Sequence, residues 1–284
     1  MTQPPRYFAS LLTPILNGLF ATLFPANCRI CDARLLTAAR LPVCADCLQQ
    51  MRAIEGPVCD ICGERLLSPH LLDEAGGYGA CGLCRAAAPP FVKAAAYGSY
   101  EAGLRDLIHL LKYQRVRPAA AVLGRMLAEA ITTLAADFGA APPMVVPVPL
   151  HRSKERQRGF NQSEDIVGAA LKHVPLHLSI SRDALARVRM TESQTGLTRR
   201  QRQENMRGAF RAPRPALIAG RDVLLVDDVF TTGATLAECA RVLRRAGAER
   251  VFAATVARVL KAEITGVRPD EEFDNEPLTM AAQA

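Results

Sequence analysis

Two groups of residues in this 284-residue chain have the types and spacing to do chemistry. Eight of the nine cysteines form four Cys-x-x-Cys units: Cys28/Cys31, Cys44/Cys47, Cys59/Cys62 and Cys81/Cys84. Two intervening residues let both thiolates of a unit turn toward one cation, and a tetrahedral zinc takes two such knuckles. Eight thiolates therefore suit two zinc ions. Sequential pairing, with intervening loops of 12 and 18 residues, is favoured over a cross-braced arrangement. A disulfide ladder and an iron–sulfur cluster are the weaker alternatives. Four protein ligands leave no open position for a substrate, so these metals are expected to be structural.

The second group is the run Val223-Leu224-Leu225-Val226-Asp227-Asp228-Val229-Phe230-Thr231-Thr232-Gly233-Ala234-Thr235. An apolar strand ends in two acids, passes through a small-residue loop and enters a helix. Backbone N–H groups and threonine hydroxyls at a helix N-terminus stabilise an anion. Paired carboxylates just before them suit hydroxyls next to a phosphate, as in a ribose 5-phosphate. The loop lacks the G-x-x-x-x-G-K-[ST] pattern of a Walker A motif. A Thr-capped helix after a strand is the bland alternative.

The elements that position these groups read as an α/β protein. Strands are expected at Phe91–Gly98, Met144–Val148, Asp222–Asp227 and Val251–Val256, with helices at Glu101–Lys112, Pro118–Ala136, Gln162–His173 and Leu236–Ala246. Asn161 with Glu164 resembles a capping box. Residues 151–159 read as a basic loop. Strands separated by helices argue for a parallel sheet. The chain divides into an amphipathic helix within 1–25, a double zinc ribbon at 26–90, a parallel-sheet domain at 91–262 and an acidic tail at 263–284. No repeat is evident beyond the cysteine pairs. Cys239, mid-helix beside small residues, reads as a buried hydrophobe.

Composition narrows the function. Hydrophobic residues make up 49% and charged residues 22%, which excludes a disordered chain. No run of about 20 uninterrupted apolar residues occurs, so stable membrane insertion is not expected. Without a clear signal peptide, the cysteines point to a reducing, cytoplasmic setting. Net charge is +7, yet residues 151–221 alone carry 15 basic against six acidic residues. That arm should face a polyanion, either a pyrophosphate or a nucleic-acid backbone. Aromatic residues are only 5%, with no Trp, so a broad base-stacking platform is not expected. Phe160 and Tyr113 are the candidate local stackers. His151 is a better site candidate than His109, which reads as a core-edge residue.

The run from Val223 to Thr235 resembles the phosphoribosyl pyrophosphate (PRPP) signature of type I phosphoribosyltransferases. Further matches occur in order: Leu110-Leu111-Lys112-Tyr113, Val146-Pro147-Val148-Pro149-Leu150, Arg158-Gly159-Phe160-Asn161-Gln162 and Gln194-Thr195-Gly196-Leu197. With the four Cys-x-x-Cys units they look like the ComF family, over roughly residues 20–260.

The resemblance implies a type I phosphoribosyltransferase-like parallel sheet flanked by helices, preceded by the zinc-ribbon module. It implies that Asp227 and Asp228, the candidate catalytic pair, bind the ribose 2′- and 3′-hydroxyls directly or through Mg²⁺. Thr231, Thr232, Gly233, Ala234 and Thr235 would cradle the 5-phosphate. Lys112, Arg158, Gly159, Phe160, Asn161 and Gln162 would lie on the pyrophosphate side, under a hood running from Arg187 to Arg207. A C-terminal helix cap explains Lys112 equally well. Two roles are implied: phosphoribosyl transfer to an unread acceptor, and handling of single-stranded DNA during natural transformation alongside other uptake proteins. Arg199, Arg200, Arg202 and Arg207 are the candidate nucleic-acid contacts.

Overall fold

A computed structural model describes residues 26–35, 39–66, 79–191 and 198–260. The expected N-terminal helix, the acidic tail and the Gln194–Leu197 segment lie outside these residues.

Four parallel strands form the central sheet: β3 (Lys93–Ser99), β4 (Met144–Pro147), β7 (Val223–Phe230) and β8 (Val251–Arg258), in the order β3-β8-β7-β4. All eight residues of β8 are buried, because helices cover both faces of the sheet. Alternation decides which face each residue supplies. Leu224, Val226, Phe252 and Ala254 pack under α3 (Ala102–Lys112), α4 (Ala119–Leu134) and α6 (Gln162–Ala170). Val223, Leu225, Val251 and Ala253 pack under α8 (Ala234–Arg245), where Cys239 is fully buried as expected.

Helix α4 runs on into a 3₁₀ turn, and together they are long and apolar enough to cross a membrane. Ten of the residues of α4 are instead committed to the core. At Gly124 a Cβ would lie 2.5 Å from the Ala169 Cβ and 2.9 Å from the Ala170 nitrogen. Its absence lets α4 and α6 cross with their backbones close.

Both sheet edges are covered, which removes a template for unwanted strand pairing. Along β3, the Ile54 amide donates to the Tyr97 carbonyl (2.7 Å) and the Ala94 amide to the Ile61 carbonyl (2.8 Å). These partners come from the cysteine module. Along β4, Val145 exchanges hydrogen bonds of 2.8 Å with Ser179 and Ser181.

Sequence expectation and structure part at 151–159. This basic stretch is a helix, α5 (Arg152–Arg158), rather than a loop. The His151 side chain accepts from the Ser153 amide at its start, and Gly159 ends it at φ 82°. His151 is therefore a helix cap. Strand β7 also runs on to Phe230, past the expected end at Asp227.

In the cysteine module, β1 (Ala26–Asn27) pairs antiparallel with β2 (Arg34–Leu35). Helices α1 (Ala45–Gln49) and α2 (Gly82–Ala86) start immediately after Cys44 and Cys81. The repeat is longer than the cysteines alone suggest. Residues 28–35 and 59–66 share the pattern Cys-x-Ile-Cys-x-x-Arg-Leu. They also share hydrogen bonds: the Cys28 amide donates to Ala33 (2.8 Å) and the Cys59 amide to Glu64 (2.7 Å). The module is a duplicated ribbon.

Candidate functional site

Strand β7 delivers its carboxylates at the carboxyl end of the sheet, beside a cavity of about 270 Å³. Asp227 and Asp228 line it together with Lys112, Lys154, Arg158, Arg187 and Arg202, so five cations face two acids. Asp228 is 4% exposed, and its Oδ2 lies 2.8 Å from the Lys112 ammonium at the end of α3. Asp227 Oδ1 accepts from the Ser163 hydroxyl (3.2 Å) and the Asp228 amide (2.9 Å).

A buried carboxylate and a half-buried one thus lie beside one largely buried ammonium. Burial works against the Lys112 charge, but Asp228 outweighs it and raises the lysine pKa. Asp227 forms no ion pair within 4 Å among the described residues, although Lys112 and Arg187 are both near enough to act on it. Burial, and then the neighbouring Asp228, push it up to about 7 against the opposing pull of Lys112. Folding therefore takes up a proton between about pH 4 and pH 7, and stability falls as pH rises through that window. Denaturant melts should show Asp227→Asn gaining on wild type as pH rises from 4 to 7; a pH-independent gap contradicts the shift.

The turn after β7 leads into α8 through Gly233 (φ 77°, ψ 3°). Thr231 and Thr235 reach the cavity wall, whereas Thr232, Gly233 and Ala234 are not on it. The Thr232 hydroxyl is buried, with no partner among the described residues. The first-turn amides of α8 have no intrahelical acceptors. Orphaned donors of this kind fit an anion.

Residues expected on the pyrophosphate side divide by role. Lys112, Arg158 and Gln162 line the cavity, with Arg158 Nη1 donating to Gln162 Oε1 at 2.7 Å. Gly159 closes α5. Phe160 is 9% exposed, in the core, with the Arg117 guanidinium 5.4 Å from its ring centroid. Asn161 is buried and caps α6, accepting from the Ser163 amide and donating to the Val148 carbonyl. Phe160 and Asn161 thus position the site without facing it. Tyr113 does line the cavity, and it is 61% exposed. His109 is half-buried against the Tyr100 hydroxyl (2.8 Å).

Lys154, which sequence reasoning counted only as part of the basic arm, and Arg187, named there only as the start of the hood, are both cavity residues. Lys154 lies four residues before Arg158 on one face of α5, a spacing visible only if the stretch is read as a helix. Burial lowers the Lys154 pKa, with Arg187 adding to it. Arg187 lies on β5 (Ala186–Arg187), which pairs with β6 (Phe210–Arg211), and its guanidinium stacks 5.4 Å from the Phe210 ring. Helix α7 (Arg199–Met206) lies between these strands and opens with a Thr198/Gln201 capping box. Arg202 reaches the cavity from α7, Arg200 projects outward beside Glu204 (3.0 Å), and the Arg207 carbonyl accepts from Arg189.

The cysteines gather as Cys28/Cys31/Cys44/Cys47 and Cys59/Cys62/Cys81/Cys84, the sequential pairing. Within each group the sulfurs lie within 4.8 Å of one another. Closest approaches are 3.9 Å for Cys28–Cys47, 3.6 Å for Cys31–Cys44 and 3.7 Å for Cys62–Cys81. Zinc–sulfur bonds of about 2.3 Å in a tetrahedron require sulfur–sulfur edges of about 3.8 Å. Amides of Cys44 and Cys81 donate to the sulfurs of Cys28 and Cys59 (3.3 and 3.2 Å), as suits thiolates. Both groups fit a closed structural zinc site.

The double zinc ribbon domain family matches residues 19–85, and the phosphoribosyl transferase domain family matches residues 168–276. The chain is 33% identical over 237 residues to the DNA utilization protein YhgH of Escherichia coli K12, covering 83% of this chain and 98% of that one. Competence protein F of Haemophilus influenzae is 30% identical over 232 residues, covering 80% and 95%. This chain belongs to the ComF family. Among solved structures, a hypoxanthine phosphoribosyltransferase from Staphylococcus aureus covers 52% of the chain and 69% of its own length, at 18% identity and a TM-score of 0.30. In this ComF-family chain the cavity is built from both sides of the matched transferase segment. Asp227, Asp228 and Thr231 lie within it, whereas Lys112, Lys154 and Arg158 precede it.

Proposed function

We propose that the chain binds PRPP with Mg²⁺ in this cavity and transfers the phosphoribosyl group to an acceptor, in a cytoplasmic setting and without stable membrane insertion. One observation carries the reading: a carboxylate pair near the end of β7, one of them buried, shares a wall with five cations and a threonine turn that enters α8. The turn Thr231–Thr235 would hold the 5-phosphate through backbone amides and hydroxyls. Asp227 and Asp228 would orient the ribose hydroxyls and hold Mg²⁺, which would supply neutralisation of the phosphate charge. Lys154, Arg158 and Arg187 would face the pyrophosphate.

In the transfer, the bond from ribose C1 to the pyrophosphate oxygen breaks with its electron pair leaving on oxygen. The acceptor's lone pair forms the new bond. The chain need supply no nucleophile; its cations stabilise the charge that develops on the leaving group, and its walls exclude water.

Calorimetric titration of PRPP with Mg²⁺ tests this reading. Asp227→Asn should weaken binding by about ten- to a hundredfold, the loss expected when a charged hydrogen-bonding group is removed. A site selecting only for negative charge would instead gain affinity when a carboxylate is removed. No binding by wild type overturns the proposal. A second reading, single-stranded DNA handling, is favoured by the outward-facing Arg200 on α7 and by the names of the relatives YhgH and competence protein F. The same titration with a single-stranded oligonucleotide at two salt concentrations separates the two, because a phosphate-backbone contact weakens steeply with salt.

A further inference from the structure

Arg258 ends β8 opposite Phe230 in the strand register, one residue before the threonine turn. It is 5% exposed, and it faces three ways. Nη1 donates to the Cys62 carbonyl at 2.6 Å, and Nη2 lies 2.8 Å from Glu64 and 3.7 Å from the Cys62 sulfur. The guanidinium covers the Phe230 ring at 4.1 Å from its centroid. Phe230 in turn sits against Gly233, where a Cβ would come within 2.8 Å of the ring. Gly233 adopts the left-handed conformation that swings the turn into α8.

A continuous stack therefore runs from the second cysteine cluster through Arg258 and Phe230 to the turn. Every member of the stack up to Phe230 is buried. Among the described residues the first cluster has no such link to the turn: Ala33 stands where the second ribbon has Glu64, and the first ribbon meets instead the helix that carries Lys112.

We propose that the second cysteine cluster, acting through Arg258 and Phe230, sets the conformation of the Thr231–Thr235 turn, so that metal occupancy of this cluster alone governs anion affinity. Packed groups with fixed hydrogen bonds transmit displacement because interiors are dense. When zinc holds Cys62, its carbonyl, its sulfur and the neighbouring Glu64 fix the guanidinium plane. That plane fixes the ring on which Gly233 rests. Arg258 is thus a positioning residue for the turn, and it touches no ligand. The affinity part of this inference rests on the PRPP reading; the conformational part does not.

The test uses the full chain. Hydrogen exchange at the amides of residues 231–235, zinc content and Mg²⁺·PRPP affinity are measured for Cys62→Ser, Cys31→Ser and Phe230→Leu. Cys62→Ser and Cys31→Ser should each lose one zinc, but only Cys62→Ser should speed exchange in the turn and weaken PRPP by about tenfold or more. Phe230→Leu should keep both metals and still speed exchange, which covers the case in which Cys62→Ser fails to fold. Unchanged exchange in Phe230→Leu, or equal effects of the two cysteine variants on the turn, overturns the proposal. If wild type does not bind PRPP, the exchange result still decides the coupling, and only the PRPP reading is lost.

Discussion

Stripping zinc from the chain should unfold the cysteine module and expose the β3 edge of the central sheet. Each four-thiolate site is expected to contribute folding free energy on the order of 10 kcal/mol, more than the whole stability of many domains. The module has little else to hold it. Among the described residues its regular elements are two-residue strands and five-residue helices, too short to persist alone. Its buried residues include six of the eight cysteines of the two clusters as well as Val43, Met51 and Leu66. Once it opens, the hydrogen bonds from Ile54 and to Ile61 are lost and β3 becomes a free edge. Elemental analysis should find two zinc ions per chain, and chelation should bring loss of the thermal transition together with aggregation. One zinc per chain, or a chelated protein that melts as before, contradicts the two-site reading.

Lys112→Met should destabilise the fold by about 3–5 kcal/mol, the cost of leaving a buried carboxylate without its partner. Asp228 is 6% exposed at its side chain and Lys112 15%, so water cannot replace the lost ammonium. Asp227 cannot help, since it already carries a raised pKa in the same pocket. The double variant Lys112→Met/Asp228→Asn should recover most of the loss, because it removes both charges rather than one. Urea melts of the two single variants and the double measure the coupling. Additive effects would show that the pair contributes no more than its separate parts.

These two predictions differ in how they became readable. The cysteine spacing states the zinc sites directly, because knuckle geometry is local. The strand–turn–helix around Asp227 is equally local, and its apolar run and Thr-Gly turn mark it. The Lys112–Asp228 pair spans 116 positions, and sequence offered pyrophosphate or a helix cap as partners for the lysine instead. Only the packing of α3 beside β7 selects Asp228. The resemblance marked Arg187 only as the start of a hood; its place on the cavity wall depends on a two-residue pairing with Phe210 that periodicity cannot reveal. Residues 151–159 misled because their composition is polar on every face. The helix is stabilised by its His151 cap and Gly159 terminus rather than by an apolar stripe. Phe160 and Asn161 fell within a family motif, yet a buried ring and a helix cap can be retained for architecture alone.

The twin ribbons carry a record of descent. A short tandem frame is still legible in residues 28–35 and 59–66, and in the second copy one side chain, Glu64, reaches the arginine that ends β8. Glu64 keys one copy onto the central sheet through Arg258, where Ala33 leaves its sibling without that bond. At this position the two copies are told apart by one acid opposite one arginine.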